Sequence, residues 1–129
     1  MAIFKAEDFL LEINYTGHKT DDVFSVTISV SSNVYSGKAS FYVCKEHYYG
    51  FVNDFCDLYN SLNTGKAIIS DYEPDKNNLC FDSDGTGNFT ISGVFNNWGD
   101  WTLKFEKRFD QTYFKRFVLQ LCYDLLGQG

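Results

Sequence analysis

Residues 87–126 constrain the fold more than any other stretch, because the spacing of their apolar side chains changes once along the chain. Large apolar residues first alternate with polar ones on both sides of a polar turn, at Phe89, Ile91, Phe95, Trp101, Leu103 and Phe105. This alternation predicts a β-hairpin with one apolar face. Apolar residues then recur at helical spacing, at Phe114, Phe117, Val118, Leu121 and Leu125. A helix is therefore predicted after the hairpin, with Asp110 as its N-cap and Gly127 as its stop.

The rest of the chain has the same two kinds of pattern. Alternation predicts strands over residues 8–15, 24–30, 36–43, 66–70 and 78–81, and helical spacing predicts a helix over 45–62. The predicted order is β-β-β-α-β-β-β-β-α, in one domain spanning 1–129 without an internal repeat. Short connections between consecutive strands favour antiparallel pairing.

The predicted fold class is α+β. It is a two-layer sandwich in which two helices cover one face of an antiparallel sheet of about six or seven strands. The other face of the sheet, rich in Ser, Thr, Lys and Glu, is predicted to face water. Two small residues on the apolar face, Gly37 and Ala39, indicate that a helix crosses the sheet closely there.

Charge and hydropathy restrict the partners. The chain of 129 residues has a net charge of −6, which opposes binding to nucleic acid or to an anionic membrane and favours a basic protein partner. Residues 1–100 contain 14 acidic and 6 basic side chains, whereas residues 101–129 contain 3 and 5. No apolar run approaches the roughly 18 residues of a membrane span, and the first residues form no apolar leader. A cytoplasmic protein is predicted.

Residue types that carry chemistry are few. The four cysteines lack CxxC spacing, so free buried thiols are predicted in preference to a metal site or disulfides. No metal or other cofactor is predicted. The two histidines, His18 and His47, are predicted to be solvated. The segment 82–88 resembles a calcium loop, but its twelfth position is Gly93 where such a loop needs Glu, so a turn is predicted.

Two loops are the candidate interaction sites. The first is an acidic loop, whose carboxyl groups are predicted to stay solvated and to face a basic protein surface together with Tyr72. The second is the hairpin tip, where Trp98 is the candidate for exposure and Trp101 is assigned to the core. The predicted partner-binding residues are Asp71, Tyr72, Glu73, Asp75, Trp98 and Asp100.

The end of the chain carries a resemblance to a known family. The pattern Trp101-Thr102-Leu103-Lys104-Phe105, followed by Phe109-Asp110-Gln111-Thr112-Tyr113-Phe114, resembles small bacterial immunity proteins of the wall-associated-protein type. The order of elements and the acidic single domain are similar as well. The resemblance implies a protein that binds and neutralises a cognate toxin without catalysis, and it assigns no binding residue.

Three functions stay open. The first is a non-catalytic protein that blocks a basic toxin domain by occlusion. The second is a small-molecule-binding or enzymatic domain, with a pocket between helices and sheet near Gly37 and Ala39 that is lined by Tyr48, Tyr59 and Tyr113. The third is an assembly module that self-associates through its Ser/Thr sheet face or an edge strand.

Overall fold

The chain forms two four-stranded antiparallel sheets, and each sheet is followed by a helix. A computed structural model describes residues 1–16, 22–61, 63–72, 76–96 and 101–128, without the side chains of Thr16, of Phe24 and of 124–128. The first unit comprises β1 (Ala2–Ala6), β2 (Phe9–Thr16), β3 (Val23–Ser31), β4 (Ser36–Cys44) and α1 (Lys45–Ser61). The second comprises β5 (Thr64–Ser70), β6 (Asn78–Asp84), β7 (Asn88–Asn96), β8 (Thr102–Asp110), a 3-10 turn (Gln111–Phe114) and α2 (Lys115–Gln128).

The α+β class and the antiparallel pairing of consecutive strands are confirmed. The single sheet of six or seven strands is wrong, because the described chain contains two sheets of four strands. The strand that sequence reasoning missed is β1, where Phe4 is the one large buried side chain among five residues. Helix α1 lies between β4 and β5 in the chain, and the first sheet ends at β4 while the second begins at β5.

The core lies between the two sheets. Their apolar faces meet through aromatic rings, with centroids 5.9 Å apart for Phe41 and Phe95 and 5.0 Å apart for Phe4 and Phe109. The outer faces carry the polar residues, so each sheet has one wet side, as alternation predicts. A Cβ atom on Gly37 would lie 2.6 Å from Cδ2 of Leu103 on β8. The close approach at Gly37 is therefore made by the second sheet, and the predicted helix crossing there is wrong.

Each helix packs against the first strand of the other unit. Helix α1 lies on β5 and α2 lies on β1, and the two helices contact each other. The ring of Phe55 on α1 lies 4.5 Å from Phe81 on β6 and 5.7 Å from Phe117 on α2. The prediction that both helices cover one face of a single sheet is wrong, because each helix bridges from its own unit to the other.

The two units repeat one topology, four strands in a meander and then a helix. The helices bury side chains at matching positions, so that Cys122 of α2 corresponds to Cys56 of α1, 66 residues earlier. At the same offset the buried residues pair as Tyr48 with Phe114, Phe51 with Phe117, Val52 with Val118 and Phe55 with Leu121. The sequence shows no internal repeat, because the strand sequences of the two units differ, and the repeat appears only in the topology.

The start of the last helix follows its predicted cap. Asp110 ends β8, and its side chain accepts a hydrogen bond from the Thr112 backbone N–H at 2.9 Å. A 3-10 turn comes first, and α2 begins at Lys115. The predicted stop at Gly127 is early by one residue, because α2 ends at Gln128. Among the described residues, no helix has the length and apolar character needed to cross a membrane.

Candidate functional site

Asp71 organises one end of the molecule from a buried position. Its side chain is 5% exposed. Oδ1 accepts hydrogen bonds from the backbone N–H groups of Tyr42 at 3.1 Å and Tyr72 at 2.7 Å, and Oδ2 accepts one from Nδ2 of Asn77 at 2.9 Å. The prediction that Asp71 is a solvated, partner-facing carboxyl group is wrong, because it fixes the acidic loop to β4.

Asn77 and Asn96 join the flanks of the two predicted interaction loops. Oδ1 of Asn77, which is 2% exposed, accepts a hydrogen bond from the Asn96 backbone N–H at 2.9 Å. Nδ2 of Asn96 donates to the carbonyl oxygen of Lys76, and its Oδ1 accepts from Oγ1 of Thr102 at 2.6 Å. The segments on either side of both loops therefore lie together at one end of the sandwich.

Three exposed aromatic side chains surround this junction. Tyr72 is 84% exposed, Tyr42 is 55% exposed and Trp101 is 38% exposed. Tyr42 and Trp101 line a groove of about 440 Å³ together with Lys38 and Lys76. Tyr42 also lines a neighbouring cavity of about 290 Å³ with Tyr72. We name Tyr42, Tyr72, Trp101, Lys38 and Lys76 the aromatic end surface.

The outer edge of β4 forms one wall of the groove. The carbonyl oxygen of Tyr42 accepts a hydrogen bond from the Tyr72 backbone N–H at 2.8 Å, on the side of β4 that faces away from β3. Because backbone groups of a strand repeat their direction every two residues, Ser40 and Lys38 present theirs on that same side. Both residues line the groove.

The predicted site residues have different outcomes. Tyr72 is exposed as expected, and Asp71 is buried. Trp101, assigned to the core, is 38% exposed, because it precedes β8 and covers Gly37 at the rim of the sandwich. Glu73, Asp75, Trp98 and Asp100, together with His18, lie outside the described residues.

His47 is part of the same end of the molecule. It lies in the first turn of α1 and lines the cavity beside Tyr72. Its Nε2 accepts a hydrogen bond from the Ser70 backbone N–H at 3.0 Å. The prediction of a merely solvated histidine is wrong, since His47 holds the end of β5 to α1 and is half-buried.

Other charged groups on the described surface act as structural ties. Asp8 contacts Nζ of Lys107 at 2.9 Å, and this contact, with hydrogen bonds from Asn33 and Ser32, lowers the pKa of Asp8 to about 2. Asp84 accepts hydrogen bonds from the hydroxyl and backbone N–H of Thr86, which lower its pKa and confirm the predicted turn.

The cysteines differ from their predicted burial. Cys44 is exposed, whereas Cys56, Cys80 and Cys122 are half-buried. Burial raises the pKa of Cys80. Sγ of Cys56 lies 2.8 Å from Sγ of Cys122. In the part of the chain that the structure describes, no group of three or more His, Cys, Asp or Glu side chains is placed to hold a metal ion.

Sequence reasoning missed Tyr42, Lys38, Asn77 and Asn96 as site residues. A signal existed for Tyr42, because it is a large aromatic residue on the polar side of an alternating strand. Asn77 gave no comparable signal, since its role depends on a contact with a residue 19 positions away.

Comparisons with known proteins leave the function to be argued from this surface. No protein-family model, curated protein or solved structure matches the chain. The described surface offers exposed aromatic rings, two lysines and an open strand edge around one groove. Such groups bind other molecules by stacking, hydrogen bonding and charge.

Proposed function

We propose that this chain is a non-catalytic binding protein whose aromatic end surface docks on a protein partner. The observation that carries the proposal is that three exposed aromatic residues line two neighbouring depressions, Tyr42 and Trp101 the groove and Tyr42 and Tyr72 the cavity beside it. Tyrosine and tryptophan dominate binding hot spots, because they bury a large area at a low cost in side-chain entropy.

The base of this surface is pre-organised. The buried Asp71 and Asn77 hold the Tyr72 backbone and the flank of the second loop through hydrogen bonds of 2.7 to 2.9 Å. A surface fixed in this way loses little further freedom when a partner binds, so more of the contact energy appears as affinity. This supports docking of a folded partner.

The charge of the protein favours a basic partner. The net charge is −6. The solvent-facing side of α1, which begins beside Tyr72, carries Glu46, Asp54 and Asp57 in exposed positions. Their field speeds association with a positively charged surface. Lys38 in the groove then binds a carboxyl or carbonyl oxygen of that partner.

The proposed role is that of an immunity protein, which neutralises a basic toxin by covering its working surface. The pattern over residues 101–105 and 109–114 supports this role through its resemblance to such proteins. Occlusion requires affinity and a large contact area, and it requires no reacting group.

The strand edge suggests how the partner is held. Tyr72 already pairs with the outer edge of β4 at Tyr42. An extended partner segment that continues this pairing along Ser40 and Lys38 would form main-chain hydrogen bonds in the groove. A second copy of this chain is the competing occupant, and a dimer that grows with concentration in gel filtration would favour it.

Alanine substitutions test the aromatic end surface. Affinity for the product of the neighbouring gene is measured for Tyr72→Ala and Trp101→Ala, with Tyr123→Ala on α2 as the matched control, because Tyr123 is 76% exposed. Each site variant should weaken binding by about tenfold or more, whereas the control should bind like the unmodified protein. Equal effects for all three variants, or no binding by the unmodified protein at micromolar concentration, would refute the proposal.

Charge reversal tests the sign of the partner. Glu73→Lys combined with Asp75→Lys should weaken binding, and raising the salt from about 0.05 M to about 0.5 M should slow association. Asp71 is left out of the reversed set, because its burial would confound binding with unfolding. Binding that is indifferent to both changes would exclude a basic partner.

The groove also favours a second candidate function, binding of a small polar ligand. Its volume of about 440 Å³ lies within the range of ligand sites, and Lys38 and Trp101 supply an ammonium group and a stacking surface. At two of the positions predicted to line a pocket between helices and sheet, other side chains take up the space: Leu103 packs against Gly37, and Tyr15 stacks on Tyr48 at 5.5 Å. These contacts favour the groove over that pocket as the ligand site.

Fluorescence separates this candidate from the first. The chain has two tryptophans, so Trp98→Phe leaves Trp101 as the sole indole reporter. Saturable changes in emission on titration with monosaccharides or small organic anions would support the ligand function. Unchanged emission with all of them, together with loss of partner binding in Trp101→Ala, would favour the protein-binding function.

A further inference from the structure

Two cysteines face each other where α1 packs on α2. Sγ of Cys56 lies 2.8 Å from Sγ of Cys122, which is closer than two unbonded sulfur atoms prefer to sit. Both residues are half-buried, so small reagents in solvent reach them while the surrounding helices hold them in place. The other two cysteines, Cys44 and Cys80, lie on β4 and β6.

The pairing follows from the repeated topology. Cys56 and Cys122 occupy the same position in the two units, one residue after the buried pair Phe55 and Leu121. Because each helix packs reciprocally on the other unit, matching positions of the two helices meet at their crossing. The contact between the sulfur atoms is therefore fixed by packed elements on both sides, and neither cysteine lies in a loop.

We propose that Cys56 and Cys122 form a dithiol modification site that a low-molecular-weight disulfide oxidises to a reversible bond between the two units. One cysteine thiolate attacks a sulfur of the reagent RSSR and forms a mixed disulfide, and RS⁻ leaves. The second cysteine then loses its proton and attacks the protein sulfur of the mixed disulfide, releasing the second RS⁻. Both leaving groups take up a proton, so two protein thiols and RSSR give one protein disulfide and two RSH.

The surroundings of the Cys56 thiol set how the reaction depends on pH. Burial and the hydrogen bond with Cys122 raise the pKa of the Cys56 thiol to about 12, so this thiol is protonated at neutral pH. The raised pKa makes oxidation slow at neutral pH and faster as the pH rises.

The bond would close a loop of 66 residues between the two helices. Cross-linking over that length restricts the unfolded chain strongly. Oxidation is therefore expected to raise the Tm by about 5 to 15 °C. The change is reversible, since an excess of dithiothreitol returns both thiols.

Mass spectrometry of the full chain tests the site. After treatment with oxidised glutathione at pH 8, the protein should lose about 2 Da, apart from any glutathione adduct on Cys44 or Cys80, and Cys56 and Cys122 should resist alkylation. A peptide map should join the segment containing Cys56 to the one containing Cys122. Retention of four reactive thiols, a different pairing, or stable adducts of glutathione without ring closure would overturn the proposal.

Matched variants distinguish a disulfide between Cys56 and Cys122 from oxidation of the other two cysteines. The double variant Cys44→Ser with Cys80→Ser should keep both the mass loss and the Tm shift. Cys122→Ser should lose both, and its fold is checked independently by circular dichroism. If Cys122→Ser still showed the Tm shift on oxidation, or if the double variant lost it, the assignment to Cys56 and Cys122 would be wrong.

Discussion

The two units of the molecule share one topology but are tied together by different chemistry. After the first strand of the first unit, Asp8 reaches Lys107 on the last strand of the second unit, at 2.9 Å and near the surface. After the first strand of the second unit, Asp71 accepts a hydrogen bond from Tyr42 on the last strand of the first unit, and it is buried. Only the buried tie should contribute strongly to stability, because water screens the exposed pair.

The two ties also differ in the length of the connection that follows the first strand of each unit, and the candidate site lies at the longer connection. Two residues, Glu7 and Asp8, connect β1 to β2, and Glu7 adopts a φ of 57° in this tight turn. The corresponding connection from β5 to β6 spans residues 71–77. The groove against the edge of β4 lies at the longer connection, of which Lys76 and Asn77 form part of the lining. Function is thus expected at one of two equivalent junctions.

The largest expected effect comes from removing the buried tie. Asp71→Ala leaves the backbone N–H of Tyr42 and the side-chain amide of Asn77 without their acceptor, whereas the Tyr72 N–H keeps its hydrogen bond to the carbonyl oxygen of Tyr42. We expect a loss of about 3 kcal/mol in the free energy of unfolding. Urea unfolding followed by circular dichroism measures it. Asp71→Asn is the matched control, because its remaining oxygen can still accept from Tyr42 and Tyr72.

If Asp71→Ala destabilised the protein no more than Asp8→Ala does, the buried hydrogen bonds of Asp71 would contribute no more to stability than the exposed ion pair of Asp8. Equal effects would mean that burial makes no difference between the two ties. A smaller loss in Asp71→Asn than in Asp71→Ala would show that the two backbone hydrogen bonds carry most of the effect.

The next effect compares glycines on the inner faces of the two sheets. A Cβ atom on Gly93 would lie 2.6 Å from Cζ of Phe105 and 3.0 Å from the carbonyl oxygen of Asn78. On Gly37 it would meet Cδ2 of Leu103, the mobile end of a half-buried side chain. We expect Gly93→Ala to cost about 2 kcal/mol and Gly37→Ala less than about 1 kcal/mol. Thermal unfolding of both variants checks this order, and a larger cost at Gly37 would contradict it.

The fold could be predicted where periodicity reports burial directly. Alternation identified the inner residues of β7, Phe89, Ile91 and Phe95, because one face of each strand is buried. The alternation of apolar and polar residues could not predict the division into two sheets. A strand that packs on a second sheet has the same alternation as one that packs on a helix, so the pattern at Gly37 was compatible with both partners.

The site could be predicted only in part, for a related reason. Tyr72 was found because an exposed aromatic residue beside acidic ones is a local signal. Asp71 has the same local surroundings, and its burial depends on contacts with Tyr42, 29 residues earlier. Sequence proximity therefore could not separate the residue that faces solvent, Tyr72, from the one that is buried, Asp71.

The exposed contact between Asp8 and Lys107 should affect the pH dependence of stability more than the stability at neutral pH. The contact with Lys107, with hydrogen bonds from Asn33 and Ser32, lowers the pKa of Asp8 from 3.8 to about 2 in the folded protein. A lowered pKa contributes stability above about pH 4 that is lost as the pH falls toward 2. The gap in stability between the unmodified protein and Asp8→Asn should therefore narrow between pH 4 and pH 2, as measured by urea unfolding at each pH. A gap that stays constant over this range would show that the carboxylate makes no special contribution.

The smallest expected effect compares the solvent-facing sides of the two helices. Gly50 lies inside α1, and a Cβ atom there would meet nothing within 4 Å. The corresponding position of α2, 66 residues later as for the two cysteines, is the exposed Arg116. Gly50→Ala should therefore stabilise the protein by about 0.5 to 1 kcal/mol, because alanine restricts the unfolded chain and fits the helix without strain. Lower stability in this variant would show that α1 requires glycine at this position, although α2 has arginine at the matching one. The two helices would then correspond only in the residues that they bury.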